Sequence, residues 1–301
     1  MKDWPQSDLE AVSCPLCGPE VSQGLRHEFG QFRVVTCQQC GLIFLSPRLA
    51  EASILDLYRD QDYYDSAIVG QGYDEYLEVR ENWLSTFRAR LKEIGKYKPG
   101  GRVLDVGCGP GFFLEAAASL GYEAWGLDPS DYIVKMAARK FGERIRKGTI
   151  ANTDFEPGFF DLVVAFDTFE HLYNPLQFLS AAHRLLKVDG VLAITTPNPE
   201  SLLARISGKG WVSFKIPEHV YYWSPKTIRQ ALEKDFEVLE IRRAGQYATL
   251  GFLLRRLFKL KAKTKGFILV LLDFLNKISV YSDNGSITAI AKKSTPKSEE
   301  A

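Results

Sequence analysis

The chain has no surplus of charge. Its 38 lysines and arginines face 37 aspartates and glutamates, a formal net charge of +1 over 301 residues. The global basic excess that marks many nucleic-acid binders is therefore missing, and no nucleic-acid partner is expected. Long apolar runs are missing too. Nothing approaches the roughly 18 uninterrupted apolar residues of a membrane span, and the opening stretch MKDWPQSDLEAVSCPLCG carries no apolar segment of a secretory leader. The expected location is cytoplasmic. Histidine is scarce, with four residues in all, so few side chains are suited to proton transfer near neutral pH. What is present in ordinary amounts, 46% hydrophobic and 25% charged residues, suffices for the buried core of a globular protein.

Cysteine is also scarce, but four of the five are paired: Cys14-Pro-Leu-Cys17 and Cys37-Gln-Gln-Cys40, with 19 residues between the pairs. In a reducing compartment, paired C-x2-C knuckles read as metal ligands rather than disulfides. Four thiolates suit a closed, tetrahedral, structural zinc ion. Gly18 and Gly41 follow the second cysteine of each pair, where turns must aim amide hydrogens at sulfur. A redox C-x2-C would open a helix, and that context is missing. Between the pairs, Phe29–Thr36 reads as a short strand.

Helices are expected over 50–59 and 73–97, the latter from the spacing of Tyr76, Val79, Trp83, Phe87, Leu91 and Ile94. Lys98-Pro99-Gly100-Gly101 is a domain boundary. Beyond it, strand and helix signals alternate: strands at 102–106, 122–127, 144–148, 161–166 and 191–196, with helices at 111–120, 131–141 and 175–186 between them. A helix at 226–234 and strands at 236–242 and 287–291 complete the run. Near-continuously apolar strands in βαβ alternation predict a parallel sheet covered on both faces. The expected organisation is a ribbon over 1–48, a helical cover over 49–98, a core over 99–293 with an apolar and basic helical insertion at 251–280, and a disordered tail at 294–301.

The first strand of that core runs into VLDVGCGPGFFLEA, residues 103–116. A glycine-rich turn between first strand and first helix binds ligands at the carboxyl edge of a sheet. A pyrophosphate-bearing cofactor is ill served by Asp105, because like charges repel. A ligand with an amino group and a sulfonium, S-adenosylmethionine, suits it better. Asp128, at the end of the next strand, can accept from ribose hydroxyls in either cofactor class.

LDVGCGPGFFLEAA, GLDPS, FDLVVAFDTFEHLYNP and LLKVDGVLAITTPN together resemble the class I S-adenosylmethionine-dependent methyltransferases, over about 101–291. The resemblance implies an α/β, Rossmann-like, doubly wound seven-stranded sheet. It also implies cofactor contacts at Gly107, Gly109 and Gly111, with Asp105 on the amino group and Asp128 on the ribose. Thr149 and Ile150 should lie against the adenine, Asp167 beneath the methionine portion, and Phe112 against the pocket wall. Asn152 and Asp154 are both candidates for the acidic position near the adenine. A cysteine ribbon, GLIFLSPR and a tyrosine-rich stretch joined to this core resemble bacterial enzymes that modify sugars and other small metabolites. Among these, sugar C-methyltransferases carry a Glu-His pair in a segment like PEHVYYWS, residues 217–224, where it helps abstract a proton.

His219 with Glu218, and His171 just past the fourth core strand, are thus the candidate catalytic residues. Ser224-Pro225 reads as a helix start that anchors the His219 loop. His183 reads as structural, and Cys108 as a small packing residue. Tyr63 and Tyr64 are candidates to lean over the substrate. The segment 251–278 reads as a pair of helices inserted before the final strand, forming a lid, part of the core or a dimer contact, or as a surface that meets membrane or a lipid-linked substrate. The expected activity is methyl transfer to the oxygen or carbon of a small molecule, including a nucleotide- or lipid-linked sugar. Two other readings stay open: a nicotinamide-dependent oxidoreductase, and a zinc-ribbon interaction protein with a non-catalytic core.

Overall fold

Antiparallel pairing organises the N-terminal stretch. In the computed structural model, which describes residues 3–59, 80–251, 275 and 278–294, β1 (Leu9–Glu10) pairs with β5 (Arg48–Leu49). Between them lie β2 (Gln23–Phe29), β3 (Phe32–Cys37) and β4 (Ile43–Leu45). The single strand expected over 29–36 is instead a hairpin. Gly30 takes φ +60, a left-handed conformation that glycine adopts without steric cost, and it reverses the chain between β2 and β3.

α1 (Glu51–Arg59) and α2 (Arg80–Ile94) follow; the expected 73–79 portion of the second helix, and Tyr63 and Tyr64, lie outside the described residues. The core then runs β6 (Gly101–Val106), α3 (Phe112–Ser119), β7 (Tyr122–Asp128), α4 (Asp131–Phe141), β8 (Ile145–Lys147), β9 (Phe160–Phe166), α5 (Pro175–Leu185), β10 (Leu186–Pro197), α6 (Leu202–Ser207), β11 (Tyr221–Tyr222), α7 (Pro225–Leu232), β12 (Phe236–Thr249) and β13 (Ser279–Lys293). Seven of these strands form one sheet in the order β12-β13-β10-β9-β6-β7-β8. β13 is antiparallel to both of its neighbours, and the pairs from β10 to β8 are parallel.

Strand alternation distributes the core to two faces. Leu162, Val164 and Phe166 of β9 join Phe87, Leu91, Phe113 and Ala117 of α2 and α3. Phe160, Val163 and Ala165 of the same strand join Phe178 and Leu185 of α5 and Ile228 of α7. Phe32, Val34, Phe44 and Leu45 of the N-terminal strands belong to that second cluster as well, so the ribbon and one face of the sheet share a core. β12 and β13 are longer than the apolar runs predicted. Ser279 and Val280, placed in the expected insertion, pair with Thr249 and Ala248 in the hairpin; most of 251–278 and the tail beyond 294 lie outside the described residues.

One pairing crosses the expected domain boundary. β11 docks on β4 with Tyr221 opposite Phe44 and Tyr222 opposite Ile43. The N-terminal sheet therefore runs β11-β4-β3-β2, and its last strand comes from the segment that carries His219.

Candidate functional site

The glycine loop is shaped by contacts on both sides. The amides of Gly107 and Cys108 donate to the Leu127 carbonyl at 2.8 and 3.0 Å. Gly107 has φ +76, and a Cβ there would sit 2.6 Å from Thr168 Oγ1, so only glycine lets the loop approach the segment after β9. Gly111, φ +85, lies against Phe141 in the same manner. Gly109 has φ +49 and open space where a side chain would be, which is what a backbone facing a ligand requires. Cys108 packs on Gly126, whose added Cβ would meet its sulfur at 2.7 Å.

Asp128 closes this loop. Its carboxylate accepts from Gly109 N at 3.1 Å and from Ser130 N at 2.9 Å, and each oxygen keeps a lone pair for a ligand hydroxyl. Burial raises its pKa to about 6 against the pull of those two amides. Asp105 is buried, and burial first, then the charge of Asp128, pushes its carboxyl well above the usual range. A cationic ligand group would relieve both carboxylates.

The other expected cofactor contacts spread along the same edge. Ile150 is buried in the single 3-10 turn Ile150–Asn152 after β8, and Thr149 precedes it. Asp154 is engaged by Arg146. Asp167 follows β9 with φ +53, the one described non-glycine residue in the left-handed region. Its amide donates to Thr195 O at 2.8 Å, and its carboxylate accepts from Arg90 Nη1 at 3.1 Å. Phe112 is buried in the core on the α2 and α3 side.

Past β9 the 3-10 turn Phe169–His171 brings Glu170 and His171 to the sheet edge, next to Thr168 and hence to Gly107. There His171 meets His219, with ring centroids 4.5 Å apart. Glu170 joins them: one ligand or proton-transfer atom from each residue lies within 4.8 Å of the others. His219 and Glu170 are buried; His219 Nδ1 and Glu170 Oε2 have no partner among the described residues. Burial holds both imidazoles neutral, with Lys215 adding to the effect: His171 falls to about 4 and His219 well below its usual value. Burial, then the charge of Asp167, lifts Glu170 to about 8.

Glu170 is the residue that sequence reasoning missed. Its adjacency to His171 was visible, but not that it would turn inward. Glu218, expected to orient His219, meets the His171 ring through its backbone. Ser224 caps α7 with a capping box and Pro225 at the first turn, as expected. His183 is structural, against Phe236 and Ser294 O.

The four paired cysteines converge. Their sulfurs lie within 4.8 Å of one another, with Cys14 and Cys40 at 3.6 Å. Tetrahedral zinc at about 2.3 Å per sulfur sets sulfurs about 3.8 Å apart. Gly18 and Gly41 take φ +84 and +86, and Leu42 N donates to Cys40 Sγ. Burial opposes ionisation of Cys37, yet the backbone at Cys40 and Gln39 draws its thiol to about 7.

The cysteine cluster connects to the histidines through few steps. Leu45 N donates to Val220 O, and Val220 N to Glu170 O, both at 2.9 Å. Tyr222 OH donates to His219 O at 3.1 Å. Arg48 lies 4.2 Å over the Tyr173 ring, pairs with Glu10 at 2.8 Å and reaches Tyr221 OH and Tyr173 O at 3.3 Å.

A seven-stranded sheet in this order, with an antiparallel strand next to its edge and an acidic glycine loop at its carboxyl end, defines a Rossmann-like methyltransferase fold. The methyltransferase-domain family model matches residues 74–241, more than half of the chain, and the chain belongs to that family. Ubiquinone biosynthesis O-methyltransferase of Cereibacter sphaeroides is 35% identical over 132 residues, covering 42% of this chain and 53% of that one. Its counterpart in Xanthomonas campestris is 32% identical over 133 residues, covering 42% and 56%. The chain thus spans about half the length of the curated relatives it matches.

Among solved structures, a SAM-dependent methyltransferase from Archaeoglobus fulgidus superposes with TM-score 0.50 at 26% identity, over 72% of this chain and 99% of that one. Haemonchus contortus phospholethanolamine N-methyltransferase 2, in complex with phosphomonomethylethanolamine and S-adenosylhomocysteine, shares the fold with TM-score 0.53 at 20% identity, over 84% and 62%. No helix of the described residues is long and apolar enough to cross a membrane.

Proposed function

We propose that the protein transfers a methyl group from S-adenosylmethionine to a small-molecule acceptor, on oxygen or carbon, with a sugar as the class of acceptor that the ribbon-bearing resemblance suggests. Gly107, Gly109 and Gly111 let the loop backbone approach the cofactor. Asp128 holds the ribose, Asp105 faces the amino group, Asp167 lies beneath the methionine portion, and Thr149 and Ile150 border the adenine. When bound, the cofactor supplies a methyl group on a sulfonium, and the chain's own residues do the rest.

The observation that carries this reading is the convergence of His171, His219 and Glu170 beside the glycine loop. A hydroxyl or carbon acid must lose its proton as it attacks, and a neutral imidazole is the form able to take it. His219 offers Nδ1, which has no partner among the described residues. His171 packs edge-on against that ring and sets its orientation. Glu170 borders both. The buried setting excludes water, and holding nucleophile and donor in line supplies much of the rate.

Cys14, Cys17, Cys37 and Cys40 hold a structural zinc ion that folds the ribbon. A closed four-thiolate site leaves no position for catalysis, so the metal acts through the strand pairing that carries β11.

The test is calorimetric titration with S-adenosylhomocysteine and, in parallel, with NADH, repeated on Asp105→Ala. Micromolar binding of the first ligand alone, weakened in the variant, is the expected outcome. Binding of NADH alone would return the oxidoreductase reading. Binding of neither would leave an interaction protein on a methyltransferase scaffold.

A further inference from the structure

A cavity of about 290 Å³ opens between α2 and the β12–β13 hairpin, lined by Arg90, Glu93, Arg242, Arg243, Tyr247 and Tyr281 among others. None of these residues belongs to the cofactor loop or the histidine cluster. Three are arginines. Arg242 is committed to Glu93, which Lys96 also engages. Arg243 is held only at long range: its side chain is 89% exposed, and it pairs with Asp283 at 3.9 Å.

Arg90 is the unusual one. Its side chain is 5% exposed. Nη1 donates to Asp167 at 3.1 Å, and the guanidinium carbon lies 5.1 Å from the Phe166 ring centroid. Nε and Nη2 are buried with no partner among the described residues. An unsatisfied buried donor costs free energy unless a ligand or water supplies the acceptor. These two nitrogens form one edge of the guanidinium plane, the edge that takes two oxygens of a carboxylate or phosphate side by side. Asp167 and Phe166 fix the plane of that edge, and Arg90 lines the cavity.

We propose that this cavity is an anion subsite for the acceptor, in which the Nε/Nη2 edge of Arg90 takes a carboxylate or phosphate group while Arg243 adds charge at the mouth. The proposal rests on the methyltransferase reading above, and it specifies the acceptor as an anionic molecule. Its anionic group would sit under α2, and Asp167, held by the same arginine, marks the route from there to the end of β9 and the cofactor edge. The same oxygens could come from a second source, the methionine carboxylate of the cofactor itself.

The test is a ³¹P NMR titration of the full-length protein with inorganic phosphate at low ionic strength, with and without saturating S-adenosylhomocysteine. It is repeated on Arg90→Met and on Arg243→Glu, an exposed change that leaves the core untouched. Saturable binding that persists with S-adenosylhomocysteine is expected, weakened about 10-fold or more in Arg90→Met and several-fold in Arg243→Glu. Should Arg90→Met fail to fold, Arg243→Glu decides alone. No saturable binding, or binding equal in wild type and variants, overturns the subsite. Displacement of phosphate by S-adenosylhomocysteine assigns the open edge to the cofactor carboxylate and overturns the acceptor assignment. If S-adenosylhomocysteine itself fails to bind, the methyltransferase reading falls, and the phosphate comparison still decides whether the cavity takes anions.

Discussion

The glycine loop and the carboxylate that closes it come from one unbroken stretch, Asp105 to Asp128, whereas the histidine cluster is collected from separated ones. His171 and Glu170 follow β9; His219 lies far along the chain; the strand that steadies His219 pairs with β4 near the N-terminus. A contiguous site depends on local backbone geometry, such as the φ of +76 at Gly107 that brings it to Thr168. A collected site depends on everything that docks its pieces. The two edges should therefore respond differently to damage done at a distance.

The sharpest way to separate them is to remove the zinc ion proposed for Cys14, Cys17, Cys37 and Cys40. Cys37→Ser, or chelation of the wild type, is expected to unfold the β2–β4 ribbon, since metal binding supplies the folding free energy of such modules. The register of β11 on β4 goes with it. Turnover should fall roughly 10³-fold or more, while S-adenosylhomocysteine affinity stays within about 3-fold, the scatter of a change that touches no ligand contact. Metal content by mass spectrometry and calorimetry on the same samples check both halves. Equal loss of affinity and turnover would mean that the two edges are one unit.

His219→Asn attacks the collected edge from inside. It keeps a polar side chain of similar reach but removes the proton acceptor. Turnover should fall about 10²-fold, with cofactor affinity unchanged. Unaltered turnover would remove His219 from the reaction and leave His171 as the base.

Asp128→Ala is the converse, aimed at the contiguous edge. It deletes the carboxylate that ties Gly109 N and Ser130 N and that is proposed to hold the ribose. The loss of charge-assisted hydrogen bonds worth about 2 kcal/mol predicts roughly 30-fold weaker S-adenosylhomocysteine binding. The hydrogen bonds of Asp128 go to Gly109 and Ser130 rather than to the histidine cluster, so the rings should keep their NMR signatures. Movement of both would break the separation between edges.

The same contrast explains what residue order disclosed. The α/β class, the helix at Asp131–Phe141, the capped start at Ser224-Pro225 and the acidic glycine loop rest on short-range signals. The pattern that identifies them lies within a few residues of the structure it produces. The hairpin at Gly30 was legible in principle, but Gly30 stands inside an alternating apolar run that reads as one strand. β13 begins at Ser279 because it pairs with β12, although SVYSDNGS is polar and only partly buried; its strand character comes from the partner. Glu170 gave least warning. A glutamate is ordinarily solvent-facing, and its neighbours here come from a later segment: Val220 N donates to its carbonyl, and the charge of Lys215 acts on its carboxyl.

Glu170 also provides the finest test of the comparison, because its titration reports on the collected edge without an acceptor. Its folded-state pKa is raised from 4.5 to about 8, by burial first and then by the charge of Asp167. A carboxyl shifted upward binds more protons folded than unfolded between those values, so the stability it contributes declines as pH rises through that window. Glu170→Gln keeps the neutral shape and removes the titration. The melting temperature of the wild type relative to Glu170→Gln should therefore fall by a few degrees between pH 6.5 and 8. His171 does not interfere, since its own shift, from 6.5 down to about 4, acts below that window, and other groups cancel in the difference. Once ionised, Glu170 places a negative charge beside two imidazoles and makes them better proton acceptors. With any acceptor in hand, turnover of the wild type should rise a few-fold toward pH 9, and the Gln variant should lack that rise. A flat difference in melting temperature would mean that Glu170 does not titrate within that window, and that the pH dependence of turnover has to come from another group.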